Sequence, residues 1–152
     1  MRPETAMNDD VDRRLVGLLQ KDARQSSETL AKKLAVSSTT VRRRLRKLIQ
    51  EGVLRIVAVV DPKKVGFPLI AFITFDVEHG KMDSVMAKLA SRQDIIWVSS
   101  TTGRFDVLAV ARFASTDELS DFLQKQLPAM EGIRDSETFI CLSVKKGRYI
   151  RV

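Results

Sequence analysis

A single cysteine and a single histidine leave little room for metal or nucleophile chemistry in this 152-residue chain. Cys141 has no second cysteine with which to form an internal disulfide or a metal cluster. His79 has no second histidine or cysteine to complete a metal site or a nucleophile pair. No cofactor, no metal and no catalytic constellation are therefore expected, and the cysteine usage suits a reducing cytoplasm. Long apolar runs are missing too. The longest stretch without a charged side chain, Val65 to Phe75, is far shorter than the roughly 20 apolar residues that cross a bilayer. Met1 to Asp10 lacks the apolar core of a secretory signal, so a cytoplasmic protein with no membrane partner is the expectation.

What the chain has in excess is positive charge, and that charge is unevenly placed. Residues 1–60 hold 13 Lys/Arg against 7 Asp/Glu, and residues 61–152 hold 13 against 12, so the formal net charge of +7 divides into +6 and +1. The basicity belongs almost wholly to the N-terminal part, as expected if that part meets a polyanion and the remainder does something else. With 44% hydrophobic residues the chain can build one core or two small ones, and two small domains would each gain from oligomerisation.

The N-terminal part reads as three helices. In "NDDVDRRLVGLLQKDAR" the apolar residues Val11, Leu15, Leu18 and Leu19 form one stripe, with Asn8 or Asp9 as cap. "SSETLAKKL" gives a short second helix with Leu30, Ala31 and Leu34 inward and Ser26 or Ser27 as cap. "SSTTVRRRLRKLIQEG" gives the third, capped by Ser37 and stopped by Gly52. It carries five cations in the six positions Arg42 to Lys47, with Val41, Leu45, Leu48 and Ile49 on its inner arc. Only "AVS" separates helices two and three, a turn tight enough to force a steep crossing, which is the helix-turn-helix arrangement with the basic helix in the recognition position. Most charge runs are solvated helix faces. This one stands out because most of the domain's excess charge sits on one short helix just after a tight turn. Double-stranded DNA is the expected partner, with Ser38, Thr39, Arg42 and Arg43 toward base edges and Arg44, Arg46 and Lys47 on phosphate.

After Gly52, Val53 to Val60 reads as a β-rich run broken by Asp61-Pro62, a linker spanning 53–66 between a helix-turn-helix domain at 9–52 and a second domain at 67–144. Residues 145–152 form a basic C-terminal tail. The second domain alternates strand and helix signals in the order β-α-β-β-α-β, with a Ser115-x-x-Glu118 capping box opening its second helix. The fold class is α+β, a helix-turn-helix domain followed by a ferredoxin-like sandwich. Its third strand alternates Phe105, Val107, Ala109 and Ala111 against Leu108 and Val110, and its fourth, "SETFICLSV", sets Phe139 and Cys141 against Ile140, Leu142 and Val144. Both faces are apolar, which predicts a homodimer made by sheet-to-sheet contact. Between strands lies "SSTTGRFD", Ser99 to Asp106. It is either an ordinary β-turn, or a site whose hydroxyls and amides hold a carboxylate while Asp106 receives an ammonium group, the two charges of a free amino acid.

Taken in order, "DDVDRRLVGLLQKDAR", "LAKKLAVSSTTVRRRLRKLIQEGVL", "DPKKVG" and "TTGRFDVLAV" make the chain resemble the Lrp/AsnC (leucine-responsive, feast/famine) family of transcription regulators over residues 9 to 144. The resemblance implies a winged-type helix-turn-helix, a ferredoxin-like domain that senses amino acids, and dimers that assemble into an octamer. It places Thr102, Gly103 and Asp106 at an effector pocket between dimers, joined by Thr101, Arg104 and Thr138. The family usually has Gly where this chain has Ala35, and a left-handed backbone there costs Ala about 1 kcal/mol. The expected function is a sequence-specific DNA-binding regulator, cytoplasmic and nucleoid-associated, that responds to an amino acid or related small molecule. The competing readings are a DNA-packaging protein of low sequence preference and an amino-acid-binding module without regulatory DNA binding.

Overall fold

The computed structural model describes residues 9–145 and divides the chain into two compact units, with the boundary between Val57 and Ala58. Of the basic tail, all but Lys145 lies outside the described residues.

The first unit holds α1 (Asp10–Lys21), α2 (Ser27–Leu34) and α3 (Ser38–Gln50). Each is capped by a short oxygen-bearing side chain: Asp9 accepts from the Val11 amide, Ser26 from Thr29 and Ser37 from Thr40. None of the three is long enough to persist alone, so packing must hold them. That packing is one core of Leu15, Leu19, Leu30, Ala31, Leu34, Val41 and Leu48. Ile49 departs from the inner arc read in the sequence and is 45% exposed.

The turn between α2 and α3 is left-handed at Ala35, with φ 56° and ψ 43°. Both the Ala35 and Val36 amides donate to the Ala31 carbonyl, a closure that needs this backbone twist. A Cβ is costly there, so Ala35→Gly should stabilise the unit by about 1 kcal/mol and raise its melting midpoint by about 4–8 °C in a thermal scan.

Residues 53–60 correct the sequence reading, for they form no strand and so build no wing. Val53 and Leu54 pack on the helical core, and the Leu54 amide donates to Leu48 at 3.0 Å. Beyond them the backbone finds no strand to pair with among the described residues, and Ile56, Val57, Val59 and Val60 are exposed despite their β-branched character.

The second unit opens with a 3₁₀ turn at Pro62–Val65 and continues through β1 (Leu69–Val77), α4 (Met82–Ala90), β2 (Ile95–Ser100), β3 (Val107–Phe113), α5 (Thr116–Asp121) and β4 (Ile133–Ile140). The capping box holds in modified form. Ser115 accepts from the Glu118 amide, while the Glu118 carboxylate accepts from Ala114, one residue earlier than the usual partner. The chain then widens into a π turn at Phe122–Gln126, which keeps Phe122 and Leu127 in the core.

The sheet is antiparallel throughout, in the order β2-β3-β1-β4, the ferredoxin-like arrangement. Ala71, Ile73 and Phe75 of β1 and Val107, Ala109 and Ala111 of β3 face α4 and α5 and are fully buried. On the other face Phe72, Trp97 and Phe139 are 36%, 46% and 48% exposed. β4 begins three residues earlier and ends four earlier than "SETFICLSV" suggests. Its partner explains where it stops. Cys141 still bonds to Ile70, but β1 begins at Leu69, just after Pro68, so Leu142 and Val144 have no strand beside them.

Candidate nucleic-acid interface and effector turn

The recognition helix α3 sorts its cations by packing. With Val41 and Leu48 fully buried, Thr39, Arg43, Arg46, Lys47 and Gln50 fall on the solvent side. Arg43 and Arg46 have no side-chain partner among the described residues, and Lys47 makes only a loose 3.8 Å pair with Glu51. Ser38 is half-buried in the first turn of α3. Arg42 reaches back to Glu28 of α2 at 2.7 Å, both side chains more than half exposed, so the pair is one that a phosphate could replace.

Arg44, read in the sequence as a phosphate contact, is the exception, because acidic side chains within the unit already engage it. Its guanidinium lies across the α1–α3 contact, 2.6 Å from Asp9 and 2.9 Å from Asp12, and its side chain is only 22% exposed. The two carboxylates hold the Arg44 proton more firmly than usual, Asp12 most strongly. Asp12 was not singled out from the sequence, yet the signal was there. It occupies the middle of the arc that also carries Leu15, Val16 and Leu19, and an acid in a buried stripe needs a cation.

The Asp9 carboxyl sits below its usual range because the Val11 amide donates to it, with Arg44 adding to the effect. Glu28 sits low because its own backbone amide donates to it and Arg42 pairs with it. Depressed carboxyl pKa values add stability above the unfolded value near 4, and that stability is lost as pH falls through the folded values. Melting of the helical unit should therefore be level from about pH 7 to pH 5 and fall below about pH 4, and Asp9→Asn should flatten that fall in a circular-dichroism series.

The 101–106 turn is held to β1 at two points. The Asp106 amide donates to Phe75 at 2.9 Å, and its carboxylate accepts from Val77 at 2.9 Å, beside the irregularity that shifts the β1–β4 register. Thr101 closes the turn, its amide donating to Asp106 and its hydroxyl to Phe105, both at 2.8 Å. Gly103 has φ 117°, a backbone only glycine takes without strain. Thr102, Gly103 and Arg104 are exposed, and the Arg104 guanidinium lies over the Phe105 ring at 4.9 Å. Asp106 is thus a structural acceptor that ties the turn to β1. Thr138 is not brought to this turn within one chain. It pairs with Ile73 on the β4 edge, two strands across from β3, a separation of about 10 Å.

A three-helix unit with a basic recognition helix, followed by a ferredoxin-like unit with a polar turn, defines a DNA-binding regulator that carries a separate sensing domain. Comparison with known proteins agrees. The AsnC-type helix-turn-helix domain matches residues 9–49, and the Lrp/AsnC ligand binding domain matches residues 70–150. An uncharacterised HTH-type transcriptional regulator of Pyrococcus furiosus is 37% identical over 147 residues, covering 96% of this chain and 99% of its own. One from Pyrococcus abyssi is 36% identical over 145 residues, covering 95% and 92%. The solved structure of E. coli AsnC superposes with a TM-score of 0.85 at 28% identity, covering 93% and 97%. A Neisseria meningitidis regulator solved as a complex with L-Met shares the fold with a TM-score of 0.85 at 23% identity, covering 93% and 94%. The chain belongs to the Lrp/AsnC family of transcriptional regulators.

Proposed function

We propose that α3 enters the major groove of an operator, and that the second unit binds a free amino acid at the 101–106 turn to modulate that binding. The observation that carries the reading is the outward arc of α3, where Arg43 and Arg46 stand without an acidic partner among the described residues and Thr39 lies one turn ahead of Arg43. Residues at the helix start, Ser38, Thr39, Arg42 and Arg43, read base edges, and Arg46 and Lys47 contact phosphate. At the turn, which Thr101 holds closed, the Thr102 hydroxyl and the amides of Thr102 and Gly103 receive the carboxylate, and Asp106 with Arg104 completes the pocket. Thr138 joins from another copy. The relative solved with L-Met supports an amino acid as the ligand class. The protein works in the cytoplasm, on the nucleoid, without catalysis. Mapping bound DNA across the genome with and without a panel of amino acids tests this; diffuse binding with no preferred sites, unchanged by every amino acid, would overturn it. A thermal shift with the responding amino acid that persists in Asp106→Asn, which keeps an acceptor for Val77 but loses the charge, would remove Asp106 from the pocket.

The reading extends to assembly. A homodimer buries the open sheet face around Phe72, Trp97 and Phe139, and gives the unpaired run 53–60 a strand to pair with. Dimers then associate further, up to an octamer. Sedimentation as a monomer at micromolar concentration would contradict this.

A further inference from the structure

On the first unit, Arg14, Gly17, Leu18 and Lys21 of α1 and Lys33 of α2 line an open concavity of about 230 Å³. We infer that this concavity binds the phosphate chain of a small polyphosphate-bearing ligand. Three cations converge there, and among the described residues none is paired with a carboxylate. The partners they do have are neutral: Arg14 donates to the Lys33 carbonyl at 3.1 Å, and Lys33 donates to the Gln25 side chain at 2.5 Å. Gln25 is fixed in turn by the Leu18 and Asp22 carbonyls, both at 3.0 Å. Lys21 and Lys33 sit in the last turns of α1 and α2, where helix carbonyls attract cations, yet no carboxylate among the described residues neutralises the three charges.

Gly17 is the second observation. It lies inside α1, where glycine loses more backbone entropy than any other residue, and a Cβ built there would meet nothing within 4 Å. No neighbour among the described residues demands glycine, and the bare backbone leaves room for a ligand to approach α1 between Arg14 and Lys21.

The position separates this site from α3. At about 100° per residue, Arg14, Gly17 and Lys21 lie roughly 140–200° around α1 from Asp12, whose side chain faces α3. The volume falls just below the usual 300–1,000 Å³ range of small-molecule pockets, which suits a short phosphate chain. Nothing in this inference requires α3 to bind DNA.

The experiment titrates sodium tripolyphosphate into the full chain, without DNA, by calorimetry and thermal melting. Expected is saturable binding of one anion per chain, with the melting midpoint raised. Lys21→Gln should weaken it by about 10–100-fold, the loss of one charge-assisted contact. Gly17→Glu should abolish it. Gly17→Ala should raise the melting midpoint of the unliganded protein while weakening the anion, so that lost binding cannot be ascribed to lost folding. Arg43→Gln should bind as wild type. The inference fails if no saturable binding occurs, if Gly17→Ala and Lys21→Gln bind as wild type, or if Arg43→Gln alone loses the anion, which would put it on α3. It fails equally if tripolyphosphate does not bind but Lys21→Gln weakens long duplex DNA, for the occupant is then the DNA backbone.

Discussion

Asp12→Ala should destabilise the helical unit by about 2–3 kcal/mol, a fall on the order of 10–20 °C in its melting midpoint. The magnitude follows from where the charge is left. Arg44 is 22% exposed and Asp12 9%, so removing the acid strands a guanidinium in a place water reaches poorly. Its Nε already has no acceptor among the described residues. Asp9, 2.6 Å away but 42% exposed, offers only partial compensation. Replacing both partners with apolar residues of similar size, Asp12→Leu with Arg44→Met, should recover most of the loss, because the cost lies in the unpaired charge more than in the missing pair. Arg44→Ala alone separates two roles. A clamp residue lowers the melting midpoint and leaves the salt dependence of DNA affinity unchanged for the folded fraction. A phosphate contact lowers the salt slope by about 0.9 and leaves melting alone. The first outcome is expected, read by melting curves together with binding measured at several salt concentrations well below the melting midpoint.

Arg44 also shows what kind of information the sequence carried. Spacing located α3, its Ser37 cap and its inner residues Val41 and Leu48, because those depend on local periodicity and on one hydrogen bond. The same periodicity put Arg44 on a flank of the helix, where solvent and a neighbour are both within reach of a long side chain. Only α1, whose Asp9 and Asp12 lie more than 30 residues earlier, decides between them. Ile49 failed for a related reason: a period says which side a residue is on, not whether the neighbouring helix extends far enough to cover it. The sheet was legible as a set of strands because alternation is local too. The end of β4 and the unpaired run 53–60 were not, since a strand exists only where another backbone lies beside it. The 101–106 turn was found by composition, but its attachment to β1 through Asp106 and Val77 needs the register of two strands far apart in the sequence.

The largest functional effect should come from Arg43. Arg43→Ala is expected to weaken binding to the preferred operator by about 10–100-fold, equivalent to about 1–3 kcal/mol, and to weaken binding to a scrambled duplex much less, so that discrimination collapses. Lys47→Ala should weaken both duplexes by a similar factor and reduce the salt slope by about 0.9 per site. The distinction rests on position along α3. Arg43 lies one turn after Thr39 near the end of α3 proposed to enter the groove first, whereas Lys47 lies a turn farther on, opposite the Glu51 carboxylate at 3.8 Å. A residue near the entering end meets base edges, and one nearer the far end meets the backbone as the groove wall rises past the helix. Equal loss of discrimination in both variants would show that α3 lies in the groove at a different angle. Because Arg42 is held by Glu28, Glu28→Gln adds a third measurement: freeing Arg42 should tighten both duplexes and increase the salt slope, since a cation spent on an internal pair becomes available to phosphate. Fluorescence anisotropy with the two duplexes across a salt series reads all three variants in one experiment, and the pattern across them locates the helix in the groove.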